Sequence, residues 1–381
     1  MKKNYDVVVV GGGIHGLASA YYLAQAGLNK IAVFEKNYLG SGASGRNGEM
    51  VRSAFGSTPW IGLYDKSLRL WENLSRELDF NVMFSRHGYM ILATSSQQYE
   101  NLQKNFKTQQ DFGLKTRPLE TQEVIKLVPQ INPEMVAGGL LQLNGGSARH
   151  DGAIWAYAKA AKRLKVDIFP FTEVIDIVVK SRAVQAVRTS RGDVETKIAI
   201  NAAGAHDRQI ARMAGIELPT DTYRNEMMVT EPIKPFLRIA ISAPSISAYM
   251  HQSARGEFLG GGKIKNPSPC ASMKNSLATT QYIAAQYVRL FPHLAGVRMM
   301  RQWAGNTCVS PDKGPLLGPV PDVEGFILSV GWGGYGFMGG PGGGKVLAEF
   351  ILSGEVPPEM LPFNPQRFEK GELVHEPAIN Y

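Results

Sequence analysis

The stretch Tyr5 to Lys36, YDVVVVGGGIHGLASAYYLAQAGLNKIAVFEK, decides the fold. Its four consecutive valines, Val7 to Val10, are the pattern of a strand buried on both faces of a parallel sheet. Helical spacing follows, with Leu17, Ala20, Tyr21 and Ala24 on one face and Gly27 available to end the helix. The next strand is Ile31 to Phe34. Between the first strand and the helix, Gly11, Gly13 and Gly16 take the spacing G-x-G-x-x-G, with Ile14 and His15 inside it. Missing side chains there permit a tight turn, the approach of a pyrophosphate to backbone N–H groups, and close helix–strand packing. Glu35, 19 residues after Gly16 and followed by Lys36, stands where a carboxylate accepts hydrogen bonds from ribose hydroxyls. Strand, glycines, helix, strand and acid in this order predict a dinucleotide site.

Three further pieces extend the site. GSGASGRNG, Gly40 to Gly48, follows directly and supplies Gly42, Ala43, Ser44, Arg46, Asn47 and Gly48; it resembles the Ser, Arg and Gly loop that one large class of FAD enzymes places after the acid, and that resemblance implies FAD rather than NAD. The segment Thr172 to His206 reads as short strands with a turn at Arg191-Gly192-Asp193, and it brings Val174, Ala203 and Gly204. Near the C-terminus, GFILSVGWGGYGFMGGPGGGKVLAEFILSG predicts a strand, a glycine-rich loop holding Gly333, Gly334, Gly336, Phe337 and Met338, and a helix from about Gly342 to Leu352. Such a helix start offers N–H groups and a positive dipole end to an anion. Gly339, Gly344 and Lys345 mimic a phosphate-binding P-loop, but Val346 replaces the required Ser or Thr and Pro341 lacks an N–H, so that reading is rejected.

Composition sets the bounds. The 381 residues suggest about two domains. With 44% apolar and 19% charged residues the chain is globular rather than disordered. The net charge of +8 is not organised into a basic stripe interleaved with aromatics, which argues against a nucleic-acid partner. Cys270 and Cys308 form no C-x-x-C, the seven histidines show no H-x-x-x-H, and no G-x-S-x-G occurs, so neither a metal site nor a serine hydrolase is expected. No signal peptide and no membrane-spanning run is evident, and a reducing cytoplasm is the expected location.

Together these three pieces, with RQWAGNTCVSPDKGPLLG at Arg301 to Gly318, resemble the D-amino-acid-oxidase-like FAD oxidoreductases over nearly the whole chain. The resemblance implies an α/β (α+β) architecture, a Rossmann-like FAD-binding domain of the GR2/DAO type with an inserted antiparallel-sheet substrate domain. The first would take residues 1–80, 143–218 and 302–381, and the second 81–142 and 219–301. SAYMHQSARGEFLGGGKI, from Ser247, reads as a hairpin of the second.

The tail PFNPQRFEKGELVHEPA and the stretch NGGSARHDGAIWAYA are similar to the beta subunits of heterotetrameric sarcosine oxidases, whose G-x-[AS]-[KR]-H-D motif carries covalent FMN on its histidine. The resemblance therefore implies FMN on His150, shared with a partner, and a hetero-oligomer with a larger alpha subunit and small subunits. By spacing alone, Asp151 is instead an N-cap for a helix with the face Ile154, Tyr157, Ala158, Ala161 and Leu164, and His150 its pre-cap residue. Both readings stay open.

Some relatives attach FAD through a cysteine five residues before the [TS]-P-D element; Gly305 stands there, which implies non-covalent FAD. The resemblance assigns the substrate carboxylate to Arg52, and Tyr249 and His251 on the hairpin are further candidate catalytic residues. Met338 replaces the lysine of the sarcosine oxidases and is similar to dye-linked L-proline dehydrogenases. The implied reaction oxidises the C–N bond of a secondary, sarcosine-like amino acid to an imine, FAD passing electrons to FMN. An L-proline, D-hydroxyproline or opine dehydrogenase with a non-oxygen acceptor, and a flavin-bearing scaffold without chemistry, are the alternatives.

Overall fold

The four valines lie inside a six-stranded sheet in a computed structural model that describes residues 1–262 and 268–377. Lys263 and Ile264 of the expected hairpin and Ala378 of the tail lie outside the described residues. The strand order is Leu316–Pro319, Phe326–Val330, Ala199–Asn201, Val7–Val10, Ile31–Phe34, Asp167–Phe169. All neighbours are parallel except the edge strand Leu316–Pro319. Both faces are covered, which explains the unbroken apolar run. Val7 and Val9 join the core under the helices Ile14–Gln25 and His150–Arg163, while Val8 and Val10 join the core under a three-stranded antiparallel sheet spanning Val174 to Glu195. Each fully buried valine contributes about 1.5–3 kcal/mol.

A second, eight-stranded sheet runs Met299–Val309, Asp221–Thr230, Phe258–Gly262, Ala248–Gln252, Ala240–Ala243, Tyr89–Ala93, Gly138–Gln142, Thr116–Leu119. It is antiparallel apart from the Ala240–Ala243/Tyr89–Ala93 pair. The expected hairpin is there, with His251 opposite Leu259. The strand Met299–Val309 runs through the expected boundary at Gln302, and all 11 residues stay with the eight-stranded sheet. A two-strand ladder, Met50–Val51 on Gly146–Ser147, ties the loop after Gly48 to the segment that leads into His150.

Two local expectations are corrected. The C-terminal helix begins at Gly336 rather than near Gly342 and continues to Ser353, so the glycine-rich run is itself helical with Pro341 inside it. Packing overrides propensity: a Cβ at Gly340 would sit 2.7 Å from Ile14, at Gly342 2.7 Å from Ser67, and at Gly344 2.6 Å from Ala18. Pro341 weakens the ladder, and the helix Thr58–Glu77 compensates: Ser67 Oγ and Trp71 Nε1 donate to the Met338 carbonyl at 2.6 and 2.9 Å, and Gly342 N–H donates to Ser67 Oγ at 3.0 Å.

The helix after the quoted SARHD begins at His150, with Arg149 at its N-cap, so Asp151 is not the cap. Its carboxylate is instead taken by the Arg149 guanidinium at 2.9 Å and by the Gly152 N–H at 2.9 Å. Ile154, Tyr157, Ala158 and Ala161 form the buried face, whereas Leu164 caps the far end and is 37% exposed.

Candidate active site

The carboxyl ends of Val7–Val10 and Ala199–Asn201 open into a cavity of about 1210 Å³ between the two large sheets. Ordinary small-molecule sites hold roughly 300–1,000 Å³, so there is room for a large cofactor beside a substrate. The cradle is backbone. Gly11 takes φ 116°, and a Cβ on it would lie 2.4 Å from the Ala202 carbonyl oxygen; a Cβ on Gly16 would lie 2.0 Å from that of Gly11. These two positions admit no side chain. At Gly42, Gly204 and Gly334, by contrast, a Cβ would meet no protein atom within 4 Å, because these glycines bare their backbone to the cavity.

Glu35 is buried beside them, its two oxygens accepting from Gly12 N–H at 2.9 Å and Asn37 N–H at 2.8 Å. Ser44 Oγ accepts from Ile14 N–H at 3.0 Å, pinning the Gly40–Gly48 loop to the start of the first helix. Arg46 crosses to the strand at Gly305, donating to the Ala304 and Ser41 carbonyls. Lys36, Ala43, Asn47, Gly48, Val174, Ala203, Gly333, Gly336, Phe337 and Met338 also line the cavity. Ile14 and Gly16 lie behind the wall and serve through the backbone. This lining fits a dinucleotide: backbone without side chains at a helix start, and a carboxylate at the end of the second strand.

His15 has a role that its place in the motif does not reveal. Its ring stacks on Trp332 at 4.0 Å and faces Gly336 and Gly343, joining the first glycine segment to the second. Burial pushes its imidazole down to about 3, so it is neutral at any ordinary pH.

At the other end of the cavity stands Arg52, 4% exposed. Its guanidinium lies 4.0 Å from the Phe55 ring and near Tyr89 and Tyr335, and donates to the Ala54 carbonyl at 2.7 Å. A planar cation held by three aromatic rings is preorganised for bidentate capture of a carboxylate. Tyr249 lines the same space, its hydroxyl kept protonated by burial and placed 2.7 Å from Met227 Sδ. Met50 and Met338 complete an apolar wall. The three rings around Arg52 come from separate segments, and only the glycine-flanked Tyr335 carried a sequence cue.

Comparison with known proteins agrees with this geometry. The family described as FAD dependent oxidoreductase (DAO) matches residues 6–350. The chain belongs to that family. It is 38% identical to the sarcosine oxidase subunit beta of Rhodobacter capsulatus, across 98% of this chain and 91% of that protein. The crystal structure of L-proline dehydrogenase from P. horikoshii superposes with a TM-score of 0.94 at 28% identity, covering 98% of this chain and all (100%) of that one. Glycine oxidase from Geobacillus kaustophilus, at 23% identity and TM-score 0.88 over 96% and 99% of the two chains, shares the fold.

In this FAD-dependent oxidoreductase, His150 and His251 stand apart from the cavity wall. His251 is buried against Glu49, Nε2 to Oε2 3.9 Å, and burial pushes its imidazole down to about 4 against the pull of Glu49. His150 sits at its helix start with its side chain 20% exposed and Nδ1 2.7 Å from Glu49 Oε1. Glu49 itself lines the cavity; nothing in its sequence surroundings singled it out. The one thiol at the cavity, Cys308, donates to Asp207 at 2.8 Å and is pushed far up by burial, so it is no nucleophile. Among the described residues no cluster of His, Cys, Asp and Glu is arranged to hold a metal, and no helix is long and apolar enough to cross a membrane.

Proposed function

We propose that this chain is the amine-oxidising subunit of a hetero-oligomeric flavoenzyme, built with a larger alpha-type subunit and small subunits, that converts the C–N bond of a secondary, sarcosine-like amino acid to an imine. Non-covalently bound FAD supplies the hydride acceptor, and FMN attached through His150 is the next electron carrier. The observation that carries the reading is Arg52, a buried, aromatic-boxed guanidinium in the same cavity as the dinucleotide cradle.

Each step the protein performs follows from placement. Arg52 fixes the substrate carboxylate, and the rings of Phe55, Tyr89 and Tyr335 exclude water and strengthen that pair. The Met50, Met227 and Met338 side chains and Tyr249 form an apolar wall that favours an uncharged amine with an alkyl substituent. The helix that starts at Gly336 directs its N–H groups and positive dipole end into the cavity, where they stabilise negative charge as it develops. The identity to sarcosine oxidase subunit beta supports the substrate class and the hetero-oligomer. The domain division is proposed along the two large sheets.

Met338 favours a second reading. A thioether replaces a cation beside the carboxylate site, and the likeness to L-proline dehydrogenase supports a cyclic secondary amine. Anaerobic addition of sarcosine, L-proline, D-proline and an opine to the purified complex decides between them. Flavin bleaching with a secondary amino acid is expected, and bleaching with none would leave a scaffold. Arg52→Ala is expected to lower kcat/KM by about two orders of magnitude, because a buried carboxylate loses its partner.

A further inference from the structure

Glu49 takes φ 61°, a left-handed conformation that disfavours a side chain and persists only where neighbouring contacts hold it. The contacts are present. Its N–H donates to Asn47 Oδ1 at 2.7 Å, and its carbonyl accepts from Ala148 N–H at 2.8 Å, next to the Met50–Val51 ladder. The carboxylate is thereby aimed at the start of the helix His150–Arg163. Oε1 lies 2.7 Å from His150 Nδ1, accepts from the His150 backbone N–H at 3.3 Å and lies 3.4 Å from Arg149 Nε.

At 2.7 Å the Nδ1–Oε1 separation is of hydrogen-bond length, with the ring N–H turned off the oxygen; the broad χ2 of histidine lets the ring rotate into line. The competing groups leave this pairing intact. His251 is 3.9 Å away and neutral by burial, and Arg149 is shared with Asp151.

We propose that Glu49 is the positioning residue of His150: it holds the imidazole proton on Nδ1 and leaves Nε2 as the nucleophilic nitrogen of a partly exposed ring. A carboxylate on one histidine nitrogen fixes the tautomer and raises the basicity of the other. The purpose of the arrangement rests on the reading that His150 carries a flavin. The positioning itself is independent of any flavin.

The test uses the full chain prepared free of flavin, so that Nε2 is unsubstituted, and diethylpyrocarbonate, an electrophile that acylates neutral imidazole nitrogen. Glu49→Gly is the safest variant to fold, since glycine suits φ 61° and only the carboxylate is lost. Acylation of His150, located by peptide mass, is expected to slow about tenfold in Glu49→Gly, with partial rescue in Glu49→Asp. Ring ¹⁵N signals of His150 are expected to shift from the Nδ1–H toward the Nε2–H tautomer. An unchanged rate and an unchanged tautomer in folded Glu49→Gly would overturn the proposal.

Acid precipitation of the wild-type and variant complexes separates the two ideas. If wild-type protein retains no flavin but Glu49→Gly slows acylation, the positioning stands and the FMN reading fails. If flavin stays on His150 to the same extent in Glu49→Gly, and the flavin-free variant shows an unchanged acylation rate and tautomer, the FMN reading stands and the positioning fails.

Discussion

The two glycine-rich segments that wall the cavity use the same residue for different physical ends. Around Gly11 to Gly16 the missing side chains let one turn of backbone close on another and leave Gly11 and Gly13 lining the cavity. Along Gly339 to Gly344 they let one helix lie against two others, with Ile14, Ser67 and Ala18 occupying the places their Cβ atoms would take. Close approach is common to both; what approaches differs. A run of glycines therefore shows that something comes near the backbone without saying whether it is a ligand or a neighbouring helix. The two segments meet at His15, whose ring is stacked on Trp332 and packed on Gly336 and Gly343.

Four measurements test that contrast. Gly16→Ala should have the largest effect, because its Cβ would lie 2.0 Å from a backbone oxygen that cannot move aside. It is expected to cost about 3 kcal/mol in chemical denaturation, the upper end of overpacking, and to abolish FAD retention on gel filtration. Gly344→Ala should cost about 1–3 kcal/mol by the same measurement while FAD is retained, since the clash is with Ala18 and not with the cavity wall. Loss of FAD as severe as in Gly16→Ala would erase the distinction.

Acid probes the joint between the segments. The His15 imidazole is held near 3 when folded and titrates near 6.5 when unfolded, so below 6.5 the unfolded chain binds the extra proton. Its contribution is complete above pH 6.5 and is lost as pH falls toward 3. Denaturation midpoints should fall across that window, and less steeply in His15→Phe, which keeps a ring on Trp332 without a titrating nitrogen. Smallest of all, Gly334→Ala should leave the melting temperature of the FAD-free protein within about a degree, since no protein atom meets the new Cβ and surface changes of this kind stay within about 0.5 kcal/mol. Its FAD affinity should nevertheless fall.

Legibility followed sequence distance. The first strand, Val7–Val10, and the second, Ile31–Phe34, were readable to the residue because burial on both faces writes itself into a contiguous run. The hairpin of Ala248–Gln252 and Phe258–Gly262 was readable because its two runs and the turn between them are contiguous in sequence. The glycine helix was not, since propensity argues against helix there and only packing on Ile14–Gln25 and Thr58–Glu77 overrides it. Nor was the cap at Arg149: Asp151 has the right chemistry for a cap, yet Arg149 and the Gly152 N–H take its carboxylate first.

By itself, then, the sequence determined a βαβ dinucleotide unit and a histidine next to a helix start, features encoded within a few tens of residues, while Arg52 was singled out by the family resemblance alone. Only the tertiary structure decided what surrounds them. It closed Phe55, Tyr89 and Tyr335 around Arg52, set Glu49 against His150 and stood His251 away from the cavity. Apart from Phe55, three residues from Arg52, such neighbours are joined by sheet register and helix packing over long chain separations, and no spacing rule within one segment records them.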